Sequence, residues 1–243
     1  MGSTGKTSTS SGLRAYRDMS VSDAADFVYN APKNTDPELN SHEVYQDMVN
    51  ALGLHGKPIV LDDKSFDDAA KRDALDGAIL WRGLGDQVDT AVADSVKFGD
   101  KFYVGNGLYG GGLYFTDDYG EASVGYSNGD PKTSILMAYI DKNKAKVIDG
   151  DALKRMFASE PLAIQKKFAK FGTKAPYTDP NDTSYDKYFA DMFGSDGFSA
   201  YAMYKGYNTI SINKTDYNGN PTNKHYVALT REPLVFRDNV RGK

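Results

Sequence analysis

The spacing of apolar and polar positions changes character near residue 78. Before it, the apolar residues recur at helical intervals. "SVSDAADFVYN" opens on a serine cap, and "NSHEVYQDMVNALGL" sets Val44, Met48 and Leu52 on one face before Gly53 ends the run. "KPIVLDD" reads as a short extended piece, and "KSFDDAAKRDALDG" as a helix or helical turn ending at Gly77. After residue 78 short apolar runs alternate with turn residues: "AILWRGLG", "GGGLYFTDD", "TSILMAYID" and "KAKVIDG" predict strands, and "DDYGEASVGYS" predicts a helix beginning near the aspartates. "DALKRMFASEPLAIQKKFAKFG" predicts a helix interrupted near Pro161, and "TKAPYTDPNDTSYDKYF" a polar surface excursion. "DGFSAYAMYKGYNTISI" leads from a helix through Gly206 into a strand, and "NKHYVALTREPLVFRD" supplies the last strand or strands. The expected class is α+β, with helices first and a mostly antiparallel sheet later.

Composition limits what such a chain can do. Its 243 residues, 40% hydrophobic and 26% charged, suit one compact domain. We expect a flexible polar leader over 1–18 and a single domain over 19–243, helical to about 77 and β-rich from about 78. The 29 basic residues are outnumbered by 33 acidic ones, a net charge of -4, which lacks the basic excess that binding to a phosphate backbone demands. No apolar run approaches the ~18 residues that span a bilayer, and "MGSTGKTSTSSG" lacks the apolar segment of a signal peptide, so the expected location is the cytoplasm or a host's cytoplasm, with association with a virion as the alternative. "GSTGKTST" lacks the first glycine of a phosphate-binding loop and follows no strand. Without cysteine there is no thiolate, and His42, His55 and His225 have no metal-ligand spacing, so no metal is expected.

The most unusual stretch is "GNGLYGGGLYFTDDYGEASVGYS", from Gly105 to Ser127. Its glycines allow positive φ and close backbone approach, and the structural reading is a bulged hairpin. A functional reading stands beside it. Tyr114 and Tyr126 flank a short helix, so a strand end and a helix can bring the rings face to face around a flat cationic heterocycle, by stacking and cation–π attraction worth ~0.5–2 kcal/mol each.

"LWRG" at 80–83, followed by "GGGLYFTDDYGEASVGY", resembles the NAD-binding core of ADP-ribosyltransferases. The second motif is similar to the poly(ADP-ribose) polymerase pattern GxGxYFxxxxxxSxxY, and the arginine of the first to the arginine-serine-glutamate toxin type. "AMYKGYNTISI" and "HYVALTREPLVF" resemble, in order, the closing helix and strands of such folds. The layout over roughly 40–240 is similar to members encoded by bacteriophages and other mobile elements. The resemblance implies an ADP-ribosyltransferase-like fold with a split, mostly antiparallel sheet and a cleft. It further implies a mono-ADP-ribosyltransferase or NAD glycohydrolase using NAD as co-substrate and an unidentified acceptor, a host protein or phage component among the candidates. The alternative is an inactive member serving as a binding or virion structural protein.

The same resemblance implies roles for particular residues. The Gly83 backbone would bind the nicotinamide amide, and Arg82 the phosphates or ribose. Tyr114 and Tyr126 would stack on nicotinamide. Ser123 would donate to the amide, with Ala122 as the alternative occupant of that slot. Gly112, Phe115 and Thr116, which surround Tyr114 in the motif, would complete the cofactor site. Family members carry a glutamate at the start of the last core strand, where negative charge meets an oxocarbenium-like ribose. His225 stands at the matching position, which implies that His225→Glu would raise NAD cleavage. On a continuous strand Glu232 lies ~23 Å further along and on the opposite face, so it cannot substitute. Glu121 and Asp216 are better placed, and each also reads as a solvated surface acid.

Overall fold

The computed structural model describes residues 56–84, 93, 96–98, 105–107, 109–125, 135–162, 165 and 197–238. The leader, the helical segment up to residue 55, the polar excursion after Gly172 and Tyr126 lie outside the described residues. Within them the chain is α+β, built on a mixed and mostly antiparallel sheet.

The strands are β1 (Ile59–Leu61), β2 (Leu80–Gly83), β3 (Gly105–Gly107), β4 (Gly110–Thr116), β5 (Ile135–Ile140), β6 (Val147–Asp149), β7 (Thr209–Thr215), β8 (Pro221–Ala228) and β9 (Leu234–Arg237). They lie side by side in the order β1-β9-β5-β2-β4-β8-β7-β6, with β3 paired to β4. Only the outermost pairs of that path, β1 with β9 and β6 with β7, are parallel. Leu80, Leu113, Phe115, Leu136, Ile140 and Phe236 are buried in the main apolar cluster. Phe66, Tyr139 and Val235 anchor a smaller cluster under helix α1 (Asp63–Asp73).

Local chemistry explains the helix ends. Asp62 caps α1 by accepting from the Ser65 N–H at 3.0 Å, and Asp149 caps α3 (Gly150–Ala158) by accepting from the N–H groups of Asp151 and Ala152. The α-helix stops at Asp73, short of the expected Gly77. Ala74 turns extended and bridges Asp141, and Leu75–Gly77 forms a 3-10 turn with Asp76 at φ 55°. Helix α4 (Gly197–Tyr204) is buried from Gly197 to Met203, as its apolar sequence on all sides requires. It ends in a Schellman motif at Gly206 (φ 88°), where the N–H of Tyr207 reaches the Ala202 carbonyl.

The glycine-rich stretch is a hairpin. Gly105 pairs with Gly112, Asn106 with Gly111 and Gly107 with Gly110, in unbroken register, so the bulge expected there is absent. Gly112 is small for a packing reason, because a Cβ built on it would lie 2.5 Å from Val227 Cγ1.

The ladder between β2 and β4 is one pair long. Trp81 pairs with Thr116 and nothing beyond, while β2 pairs with β5 over four residues and β4 with β8 over four. Past Trp81 the two halves of the sheet diverge, and the space between them is a cleft.

Candidate functional site

Strand register sets which side chains beside this opening share a face. Trp81 opposes Thr116, and Thr116 opposes His225, so the three project from one face of adjacent strands. Tyr114 and Asn223, each two residues along its strand, share that face. Helix α2 (Tyr119–Gly125) follows β4 directly and packs on β2, with Tyr119 edge-on to Trp81 at a ring-centroid distance of 5.0 Å.

The cleft encloses about 240 Å³. From β2 it is lined by Trp81, Arg82 and Gly83, with Leu84 just beyond. From β4 it is lined by Tyr114, Phe115 and Thr116, and from β8 by His225. Of the residues that the sequence singled out, Arg82, Gly83, Tyr114, Phe115, Thr116 and His225 therefore surround one opening. Gly112 does not line it. Ser123 does not line it either, and its hydroxyl donates to the Gly120 carbonyl of its own helix at 3.1 Å. Ala122 is fully buried. Tyr126 lies outside the described residues.

Arg82 and Tyr114 are linked across the split. Arg82 Nη1 donates to the Tyr114 carbonyl at 3.0 Å, a side-chain bond where a backbone pair would otherwise continue the ladder. The Tyr114 hydroxyl donates to the Gly110 carbonyl at 2.7 Å and accepts from the Tyr109 N–H at 3.0 Å. Both ends of this ring are thus anchored to the backbone of its own hairpin, and the ring is a fixed wall rather than a rotor.

Of the three candidate acids, Glu121 is the one that contacts residues lining the cleft. Glu121 Oε2 accepts from Thr116 Oγ1 at 2.7 Å, lies 2.7 Å from His225 Nε2 and also accepts from Asn223 Nδ2. Burial alone would raise this carboxyl, but the bonds from Thr116 and His225, the charge on His225 and the bond from Asn223 outweigh it, and the group sits below its ordinary value. With Glu121 ionised, the proton between the two side chains is on His225 Nε2, which donates.

The other two acids stand apart. Asp216 accepts from the N–H groups of Asn218 and Asn220 and from Asn220 Nδ2, which builds the β7–β8 turn. It lies four residues beyond Ile212, the partner of His225, or ~13 Å along the strand. The continuous strand assumed for Glu232 does not exist: β8 ends at Ala228 and the chain turns before β9. Glu232 packs instead over Gly56. β8 begins at Pro221, so His225 is in the body of a strand and not at its start.

Sequence reasoning missed Trp81, Leu84 and Asn223. The signal for Trp81 was present, since it belongs to the "LWRG" motif itself and is the sole tryptophan of the chain. Asn223 could be found only through its strand partner, because it meets Thr116 and Glu121 across more than a hundred residues. Among the described residues no three His, Asp or Glu side chains gather as a metal site, and no helix is long and apolar enough to cross a membrane.

Comparison with protein-family models, with curated proteins and with solved structures finds no match to this chain.

Proposed function

We propose that the cleft between β2 and β4 binds the nicotinamide end of NAD, and that the protein is an ADP-ribosyltransferase-like domain passing ADP-ribose to an acceptor or to water. The observation that carries this reading is the convergence of Arg82, Gly83, Tyr114 and His225, from three strands, on one small opening. At about 240 Å³ it is smaller than the ~300–1,000 Å³ of pockets for drug-sized ligands, so it suits one flat ring with part of a ribose, the rest of the dinucleotide lying along the surface. Tyr114 and Trp81 offer aromatic surface to a cationic ring. Arg82 offers a planar fork of donors to phosphate or ribose oxygens.

In the reaction the bond between ribose C1′ and the nicotinamide nitrogen breaks, and its electron pair stays with the ring, cancelling the ring's positive charge. The acceptor bonds to C1′ and releases a proton. Positive charge gathers on the ribose in between, and a fixed anion nearby lowers that barrier. The acceptor is a macromolecule or small molecule of the host or of a phage particle. The β7–β8 turn carries the exposed Tyr217 toward solvent, where an acceptor can be met.

A second reading is favoured by one observation: Arg82 and Tyr114 both carry structural hydrogen bonds, as a domain that only binds would also require. Nicotinamide release from NAD separates the two. Release above the uncatalysed rate, abolished in Arg82→Ala, supports the transferase; saturable NAD binding without release supports the binding domain; no NAD binding removes both.

A further inference from the structure

His225 lines the cleft from β8, and one of its two ring nitrogens is already committed. Glu121 is ionised and can only accept, so His225 Nε2 carries the proton and donates to Glu121 Oε2 at 2.7 Å. In the neutral imidazole the lone pair is then on Nδ1. That nitrogen makes no hydrogen bond among the described residues, and it is not one of the unpartnered polar atoms sealed in the interior. The His225 side chain is 10% exposed, so Nδ1 is the nitrogen that a molecule in the cleft can reach.

The carboxylate behind the ring is itself held in place. Thr116 Oγ1 donates to the same Oε2 at 2.7 Å, and Asn223 Nδ2 donates to it as well. An imidazole whose far nitrogen is held by a fixed carboxylate has its tautomer and its ring orientation set, which is the preparation that proton transfer requires. A histidine that merely tied α2 to the sheet would need the bond to Glu121 but no bare nitrogen beside an opening. The neighbouring hydroxyl cannot take this part. Thr116 Oγ1 donates to Glu121 and accepts from the Asp118 N–H and from Asn223 Nδ2, at 3.2 Å each, so its proton and both lone pairs are occupied.

We infer that His225 Nδ1 is the proton acceptor of this cleft, with Glu121 as the positioning residue behind it, and that the molecule it activates attacks through a neutral hydroxyl, that of water or of an alcohol. This deepens the NAD reading above and rests on it. Imidazole supplies no fixed negative charge, so its part in the reaction is to remove a proton. As the hydroxyl oxygen bonds to ribose C1′, its proton passes to Nδ1, and the electron pair of the C1′–nitrogen bond leaves with nicotinamide. The resulting imidazolium is held by Glu121 until Nδ1 returns the proton to solvent. A carboxylate acceptor is already anionic and would gain nothing from such a base.

The experiment measures nicotinamide release from NAD by the full chain, wild type and His225→Gln, in buffer alone and with sodium azide. Glutamine keeps a donor for Glu121 and removes Nδ1; azide attacks C1′ without a proton to lose. In buffer His225→Gln should be slower than wild type by about a hundredfold or more, and azide should bring it back to within about tenfold of wild type. A variant that binds NAD by calorimetry and stays slow with azide overturns the inference, as does one that matches wild type in buffer. Wild type that binds NAD and releases no nicotinamide removes both the transferase and this base; wild type that does not bind NAD removes the NAD reading with them. Nitrogen NMR of the imidazole tests the tautomer without NAD, in His42→Gln/His55→Gln protein, whose one remaining histidine is His225. The expected neutral form is protonated at Nε2 and bare at Nδ1, and Glu121→Gln should disturb that preference. A proton on Nδ1 in the neutral ring with Glu121 intact overturns the inference while leaving the NAD site standing.

Discussion

Glu121 joins Thr116, Asn223 and His225 through one oxygen, so its ionisation bears on the stability of the fold. Its carboxyl is held below the ordinary value of 4.5, so its contribution is fully present above that value and is lost as pH falls through the lower folded-state value. Wild type should therefore exceed Glu121→Gln in stability at neutral pH, with the gap closing in the acid range; urea midpoints across a pH series measure it. A gap that widens toward acid would mean that the carboxyl is not stabilised in the folded chain. The same geometry reverses the sequence-based expectation for His225→Glu. That substitution sets a second carboxylate against Oε2, where two acids cannot both ionise cheaply. We expect a lower melting temperature at pH 8 than at pH 5 for this variant, and no gain in NAD cleavage.

At the scale of elements, the hairpin of β3 and β4 seats the Tyr114 wall, and its packing on β8 is tight. Gly112→Ala pushes a methyl group into Val227, and overpacking of this kind costs ~1–3 kcal/mol. Adding Val227→Ala makes room, so the denaturation midpoint of the double variant should lie above the sum of the two single effects. Strictly additive losses would show that Gly112 is not held by this contact. Most elements were legible because they are local. Short apolar runs bounded by turn residues marked β2, β4 and β5, and Gly206 marked the end of α4. The early stop of α1 was hidden because Ala74 is drawn into a bridge with Asp141, a partner 67 residues away by number. The unpaired stretch of β2 and β4 was hidden for the same kind of reason, since strand pairing depends on which distant segments meet. Glu121 was visible, but "DYGE" reads as a helix start, and with the Asp118 N–H donating to Thr116 its carboxylate bonds across the sheet to Thr116, Asn223 and His225 instead.

Across the whole molecule, the cleft exists because the sheet opens after Trp81, and Arg82 spans the opening. Arg82→Ala removes a charge-assisted hydrogen bond to the Tyr114 carbonyl, a class worth ~1.5–3 kcal/mol, and also the donors proposed for NAD. Stability and NAD affinity should fall together in this variant, which urea titration and calorimetry read separately. Loss of stability with full NAD affinity would confine Arg82 to bridging the split.

Trp81 provides the most direct test of the central claim, because the chain's single tryptophan lines the cleft and no other residue contributes indole fluorescence. Titration of wild type with oxidised NAD should change the Trp81 emission saturably, with a midpoint at or below ~1 mM, the upper end of common enzyme KM values. Nicotinamide alone should reproduce the change at higher concentration, and ADP-ribose, which lacks the ring, should not. Emission that stays constant with NAD and nicotinamide, or that responds equally to ADP-ribose, would contradict a nicotinamide site between β2 and β4.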